Sequence, residues 1–329
     1  MDEELKQSLQ VALEPLLVQQ RLRAELVLPG DSYWFHRPQR NFPPRAIRDP
    51  GDYDGGPHLS LAITQTSLSA GEQRKLVQRW CALLPGLPAV KVLWFQSKVT
   101  QEMFEAACAM PGLEGLYVKW SGITSLAPLA GHPSLAHLHV GSAPSATGLE
   151  ALGRMPALVD LEIHNVRAAA DLAFLDGLEG LRSLGIAGDS NSIKPLKLPT
   201  LAPLAALQSL EKLSLTTLRV EDGSLAPLAA LGKLRWLDLC NAFPMEEVAR
   251  LAGQRPDIEC GSFAPTSGPV ASLACKRCRQ HTQHMLTGKG KPWLCENCDA
   301  GKLAGHVAQF EAIRAAAAPG HPATRLPMS

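Results

Sequence analysis

The sequence predicts an α/β solenoid: a right-handed stack of short parallel strands forming one concave sheet, followed by a small metal-stapled unit and a helix. Three observations predict it. An apolar pattern, Leu-x-x-Leu-x-Leu with Val and Ile as substitutes, returns at intervals of 22 to 29 residues. Between copies the segment Leu-Ala-Pro-Leu-Ala recurs three times. Near the C-terminus four cysteines form two Cys-x-x-Cys pairs.

The repeat is read at Leu87/Val90/Val92, Leu113/Leu116/Val118, Leu135/Leu138/Val140 and Leu158/Leu161/Ile163. It continues at Leu181/Leu184/Ile186, Leu210/Leu213/Leu215 and Leu234/Leu237/Leu239, with Leu59 to Ile63 as a degenerate earlier turn. Side chains alternate along a strand, so each Leu-x-Leu sends two side chains to one face. One such strand cannot bury that face alone, whereas a stack of them builds a continuous core. The return segments, Leu126 to Ala130, Leu201 to Ala205 and Leu225 to Ala229, carry Pro128, Pro203 and Pro227. Proline there predicts tight turns or short 3₁₀ pieces in place of long helices. Residues Asp189 to Pro199 lengthen one repeat and predict a protruding loop.

Three helices are expected at the ends of the array. Ser69-Ala70-Gly71-Glu72 has the form of a capping box, Thr100 stands as a cap for a helix through Ala109, and Pro244 suits the first residue of a helix through Ala252. Residues 3–26 carry Leu5, Leu9, Leu13, Leu16 and Leu17 at helical spacing, and 29–57 are rich in Gly, Pro, Arg and aromatics. A cap for the open end of the solenoid is expected there. The expected units are a helical and irregular cap over 1–57, the solenoid over 58–262, a metal unit with its helix over 270–318, and a disordered tail over 319–329.

The runs Leu113 to Ser134 and Leu210 to Lys233 resemble the short leucine-rich repeats of bacterial internalin-like proteins. The resemblance covers residues 87–260 and implies a solenoid that recognises proteins through its concave sheet. The sequence departs from that pattern where an asparagine closes the strand: Ser121, Ala143, Val166, Asp189, Leu218 and Ala242 stand there.

Composition excludes several classes. The chain has 329 residues, beyond the roughly 250–300 at which one compact core stops growing. With 46% hydrophobic and 19% charged residues it is not a disordered chain, and a net charge of +1 argues against whole-chain polyanion binding. No apolar run reaches the roughly 18 residues of a membrane span. The acidic start, Met1-Asp2-Glu3-Glu4, is unlike a signal peptide, so a cytoplasmic protein is expected, and the resemblance to internalin-like repeats implies a bacterial one.

The chemistry is concentrated in the tail. Cys275-x2-Cys278 and Cys295-x2-Cys298 are separated by sixteen residues, the spacing of a four-thiolate tetrahedral site for one structural Zn2+. Residues 273–300 resemble a zinc ribbon. After it, Leu303, Val307, Phe310 and Ile313 form a helical stripe expected to pack on the ribbon or the solenoid end. Residues 271–329 hold eight Lys and Arg against three Asp and Glu, net +5, which leaves −4 for the rest. Lys289, Lys291 and Trp293 therefore support an alternative function, docking on nucleic acid or the ribosome through the ribbon.

Aligning the repeats predicts the columns of the concave face. One reads Gly115, His137, Asp160, Ser183, Lys212, Trp236; the next Lys91, Tyr117, His139, Glu162, Gly185, Ser214, Asp238; a third Leu93, Lys119, Gly141, His164, Ala187, Thr216, Cys240. His137, His139, Asp160, Glu162 and His164 converge on two adjacent strands. The favoured reading is an open, solvated recognition surface, with Tyr117, Lys119, Trp120, His139, Glu162, His164, Trp236 and Asp238 as candidate protein-binding residues. Metal binding or acid–base work by the His and carboxylate cluster is the lesser alternative. Trp94 and Trp120 are read as equivalent positions just past the strand. No nucleophile–base pair or phosphate-cradling loop is recognisable, so an enzyme is not expected.

Overall fold

The computed structural model describes residues 43–189, 192 and 194–319. The helix expected over 3–26, the aromatic residues of 29–42 and the tail from 320 lie outside the described residues.

Eight parallel strands make the principal sheet. They are β1 (His58–Leu61), β2 (Val92–Phe95), β3 (Gly115–Val118), β4 (His137–Val140), β5 (Asp160–His164), β6 (Ser183–Ala187), β8 (Lys212–Thr216) and β10 (Trp236–Leu239), paired in that order. This is a leucine-rich-repeat solenoid, an α/β fold with one strand per repeat. The inward leucines form a single core: Leu116, Leu138, Leu161, Leu213 and their neighbours are fully buried. Leu59 to Ile63, read as a degenerate turn, supplies β1 and joins the same core.

The returns follow the proline signal. Ala127–Leu129 and Ala202–Ala206 are 3₁₀ segments. Helix α1 (Ala70–Leu83) begins at the Ser69/Glu72 capping box, α2 (Gln101–Cys108) is capped by Thr100, and α3 (Ala226–Ala229) is a single turn. Helix α4 (Met245–Gln254) starts one residue later than expected, with Pro244 as its N-cap.

Two sequence expectations are corrected here. The first repeat is Val90/Leu93/Phe95, three residues on from Leu87/Val90/Val92, because Leu93 pairs with Leu116 and Trp94 with Tyr117. Hence Trp94, not Lys91, stands before Tyr117 in the second column, with Ser60 of β1 ahead of it; Leu93 points into the core, and Trp94 is not the equivalent of Trp120. Lys91 instead pairs with Glu114 at 3.1 Å. The long repeat also does more than protrude. Leu196–Leu198 forms β7, which pairs in parallel with β9 (Leu218–Val220) as a second, two-stranded sheet.

Both edges of the main sheet are occupied. Ile47 bridges to Leu61, donating to Ser60 and accepting from Ala62. At the far end Glu259 bridges to Trp236, accepting from Leu237. Beyond it, β11 (Thr266–Pro269), β12 (Gln283–Leu286) and β13 (Trp293–Cys295) form a three-stranded antiparallel ribbon, followed by helix α5 (Ala300–Ala316).

Candidate functional site

The ribbon brings four thiols together. The first pair lies on the turn before β12, and the second at the end of β13 and the start of the turn into α5. Cys275 Sγ lies 3.9 Å from Cys298 Sγ, and Cys278 Sγ 3.6 Å from Cys295 Sγ; all four sulfurs lie within 4.8 Å of one another. Sulfurs tetrahedrally disposed at about 2.3 Å from a Zn2+ would be about 3.8 Å apart, so the set fits a metal with little rearrangement. The surroundings favour thiolate at Cys275 and Cys295. The Thr282 hydroxyl, 3.2 Å from Cys295 Sγ, leads the influences that bring that thiol down to about 6, and the Cys298 backbone amide also contributes. Amides of Cys278 and Arg277 lower Cys275. Cys298 is pushed up to about 12, first by burial and then by the neighbouring cysteines. Four crowded sulfurs oppose one another's ionisation, and a central cation removes that conflict. Arg277 adds positive charge nearby and is held by Asp299.

The ribbon is joined to the last repeat. Asn241 donates from Nδ2 to the Leu286 carbonyl at 2.9 Å, and Lys289 donates its amide to Phe243 at 2.7 Å. Gly288 sits at φ +125°, and a Cβ there would lie 2.9 Å from Met245 Cβ, so this close approach requires glycine. Helix α5 packs on α4. Its Phe310 is fully buried in the solenoid core, Ile313 packs against that core, and His306, which sequence reasoning missed, contacts the Pro265 carbonyl through Nε2 at 2.9 Å. Phe310 and Ile313 thus cover the end of the solenoid, while Leu303 and Val307 of the expected stripe are half-buried outside that core. Lys289, Lys291 and Trp293 are exposed, and Met285 lies opposite Trp293 across β12 and β13 as a second exposed apolar side chain.

The strand columns match the alignment from β3 onward. Gly115, His137, Asp160, Ser183, Lys212 and Trp236 are successive partners, as are Tyr117, His139, Glu162, Gly185, Ser214 and Asp238. The expectation of an open, solvated face is corrected. Tyr117, His139, Glu162 and Trp236 are all under 9% exposed, as are His137 and Asp160. Trp94 is buried with Val92 and Tyr117, its ring centroid 5.9 Å from that of His58 in an edge-on arrangement. Lys119 and Trp120, one and two residues past β3, stay exposed at the rim; His164 is part-exposed and Asp238, which accepts from Ser214 Oγ at 3.2 Å, is half-buried.

The polar cluster is built as pairs across β4 and β5. His137 Nδ1 lies 3.6 Å from Asp160 Oδ2, His139 Nε2 3.9 Å from Glu162 Oε2, and His164 Nε2 3.5 Å from that same oxygen. The Tyr117 ring stacks on His139 at 4.5 Å. Burial, and then the charge of Glu162, hold the Tyr117 phenol well above its ordinary range, so it stays neutral. Cys240 is raised by burial, the opposite of an activated thiol.

No family model matches the sequence, and no curated protein matches it. Among solved structures, the chain is similar to an internalin of Listeria monocytogenes, with 16% identity and TM-score 0.39 over 54% of this chain and 61% of that one. It is also similar to a second Listeria monocytogenes internalin, with 22% identity and TM-score 0.39 over 55% and 72%. A leucine-rich-repeat protein of Leptospira interrogans gives 13% identity and TM-score 0.38 over 66% and 57%. The chain thus spans 61% of the length of the first of these. No helix among the described residues is long and apolar enough to cross a membrane.

Proposed function

We propose that the chain is a non-catalytic protein-recognition module of the bacterial cytoplasm, in which a leucine-rich-repeat array over 58–262 is terminated by a structural zinc ribbon and helix over 270–318. Zn2+ held by Cys275, Cys278, Cys295 and Cys298 would staple a small unit that has few buried apolar side chains of its own. The observation that carries the recognition reading is Trp120. It is 41% exposed beside Lys119, on the rim of a sheet whose columns are otherwise largely closed. Tryptophan left in water beside a cation is the residue type that anchors protein interfaces. Within this reading Lys119, Trp120, His164 and the half-buried Asp238 offer the contact surface, while Tyr117, His139, Glu162 and Trp236 shape it from beneath.

The test is photocrosslinking from position 119 in cells, followed by binding measurements with the captured protein. Trp120→Ala should weaken that complex at least tenfold, and Lys289→Glu/Lys291→Glu should leave it unchanged. Unaltered affinity in Trp120→Ala would remove the rim from the account.

One observation favours a second reading, nucleic-acid contact through the ribbon. Trp293, at 44% exposure, stands opposite Met285, and the exposed Lys289 and Lys291 lie on the connection between β12 and β13. Binding that weakens steeply with salt and is lost in Trp293→Ala would select it.

A further inference from the structure

We propose that His139, Glu162 and His164 form a second metal site, for a first-row divalent transition cation, on the concave sheet far along the chain from the cysteines. Strand geometry places the three together. His139 on β4 is the direct partner of Glu162 on β5, and His164 lies two residues beyond Glu162 on the same strand and so on the same face. One ligand atom from each lies within 4.8 Å of the other two. The two imidazole Nε2 atoms approach the same carboxylate oxygen, at 3.9 and 3.5 Å. Two ligands of a tetrahedral ion with bonds of about 2.1 Å are about 3.4 Å apart. Side-chain rotation suffices to close the site, and the strands need not move.

The orientation of His139 is that of a metal-bound imidazole. Its Nδ1 lies 3.0 Å from the Val118 carbonyl. A carbonyl only accepts, so Nδ1 carries the proton and donates it there. In the neutral ring the lone pair of Nε2 then faces the Glu162 carboxylate. The ring nitrogen and the carboxylate are then both ligand atoms turned toward one point, and a backbone carbonyl behind the ring is the usual support for a histidine ligand. Tyr117 stacks on one face of the same ring, and His164 meets it edge-on at 4.8 Å and 86°, so its plane is held from two sides. His139 and Glu162 are 3% and 6% exposed, which strengthens any charge interaction between them; the side chain of His164, at 32%, gives an ion a way in.

The donor set also says which ion. Two imidazoles and a carboxylate suit Zn2+, Fe2+, Co2+ or Ni2+ and are poor hosts for Mg2+ or Ca2+. Three protein ligands leave at least one position open, whereas the four cysteines leave none. The site therefore has room for a small exchangeable ligand.

The experiment measures metal per chain by elemental analysis after equilibrium dialysis of the full-length protein against Zn2+, and separately against Co2+. Wild type should hold one metal more per chain than either His164→Ala or the isosteric Glu162→Gln. This difference is independent of whether the cysteines are loaded. With Co2+, thiolate-to-metal absorption should survive in both variants, while the weaker bands of nitrogen and oxygen coordination disappear. Circular dichroism of Glu162→Gln guards against loss through unfolding. Equal metal content in wild type and both variants would overturn the proposal and leave the cluster as an ion-pair network held by protons.

Discussion

Asn241 accepts the amide proton of Gly288 on Oδ1 at 2.7 Å, and with its donation to Leu286 it grips the ribbon backbone on both sides of Thr287. Asn241 stands two residues past β10, at the same turn position as Asn165 after Ile163. Asn165 ties its turn to the preceding repeat, donating to Ser142 Oγ at 3.1 Å. The last repeat thus uses a similar device to hold the ribbon.

Asn241→Ala should destabilise the protein by about 1–3 kcal/mol, the usual cost of leaving part-buried backbone groups without their partner. Urea unfolding checks this. A loss below about 0.5 kcal/mol would mean that water replaces the clamp.

Leu138→Ala and Leu161→Ala should each cost about 2–5 kcal/mol, as large-to-small changes at fully buried positions do. Loss of less than about 1 kcal/mol at both, by the same unfolding assay, would contradict a close-packed array.

Cys278→Ser should remove the metal from the ribbon. Because Phe310 lies in the solenoid core and Asn241 holds Leu286, the damage should reach the array, and its last repeats should lose amide protection together with the ribbon. Hydrogen exchange that changes only within 264–299 would show the two units to be uncoupled.

Stability should fall with acid through His132. It is 5% exposed, its Nδ1 accepts the Leu135 amide at 3.1 Å, and its Nε2 meets the Met110 carbonyl at 3.0 Å. Burial lowers its pKa below the ordinary 6.5, outweighing the Met110 carbonyl, which pulls the other way. Between the folded and ordinary values the unfolded chain binds more protons, so unfolding free energy rises with pH there and is level above about 6.5. His306, also lowered by burial, adds in the same direction. His132→Asn should flatten the slope below about pH 6.5 by up to about 1.4 kcal/mol per pH unit. An unchanged slope would count against this account.

Much of the fold was legible because its signals are local. The period located β3, β4, β5, β6, β8 and β10 with correct partners, Ser69 and Glu72 announced α1, and the prolines shortened the returns. The slip at β2 has a physical cause. Leu87, Ala89, Val90, Val92, Leu93, Trp94 and Phe95 are nearly all apolar, so two registers look equally good. The three-residue correction brings Val90 to Leu113 into a 23-residue interval like those that follow. The four cysteines were readable because both pairs are short-range motifs. Closure of the concave face was not, since strand alternation tells which side a residue faces and not what lies over it. Asn241 was hidden for the reason that hides most long-range contacts: its partners lie 45 and 47 residues away.

The bridges of Ile47 and Glu259 at the two edges make the array a terminated oligomer of repeats. A bare edge of a parallel sheet is a template, and a second chain could add to it strand by strand. Here each edge carries a short piece of the protein's own backbone, too irregular to extend the sheet. Such cover opposes edge-to-edge addition of a second chain. The hazard returns with any cleavage or variant that frees the edge of β10, which would turn a protein of fixed length into a seed for growth.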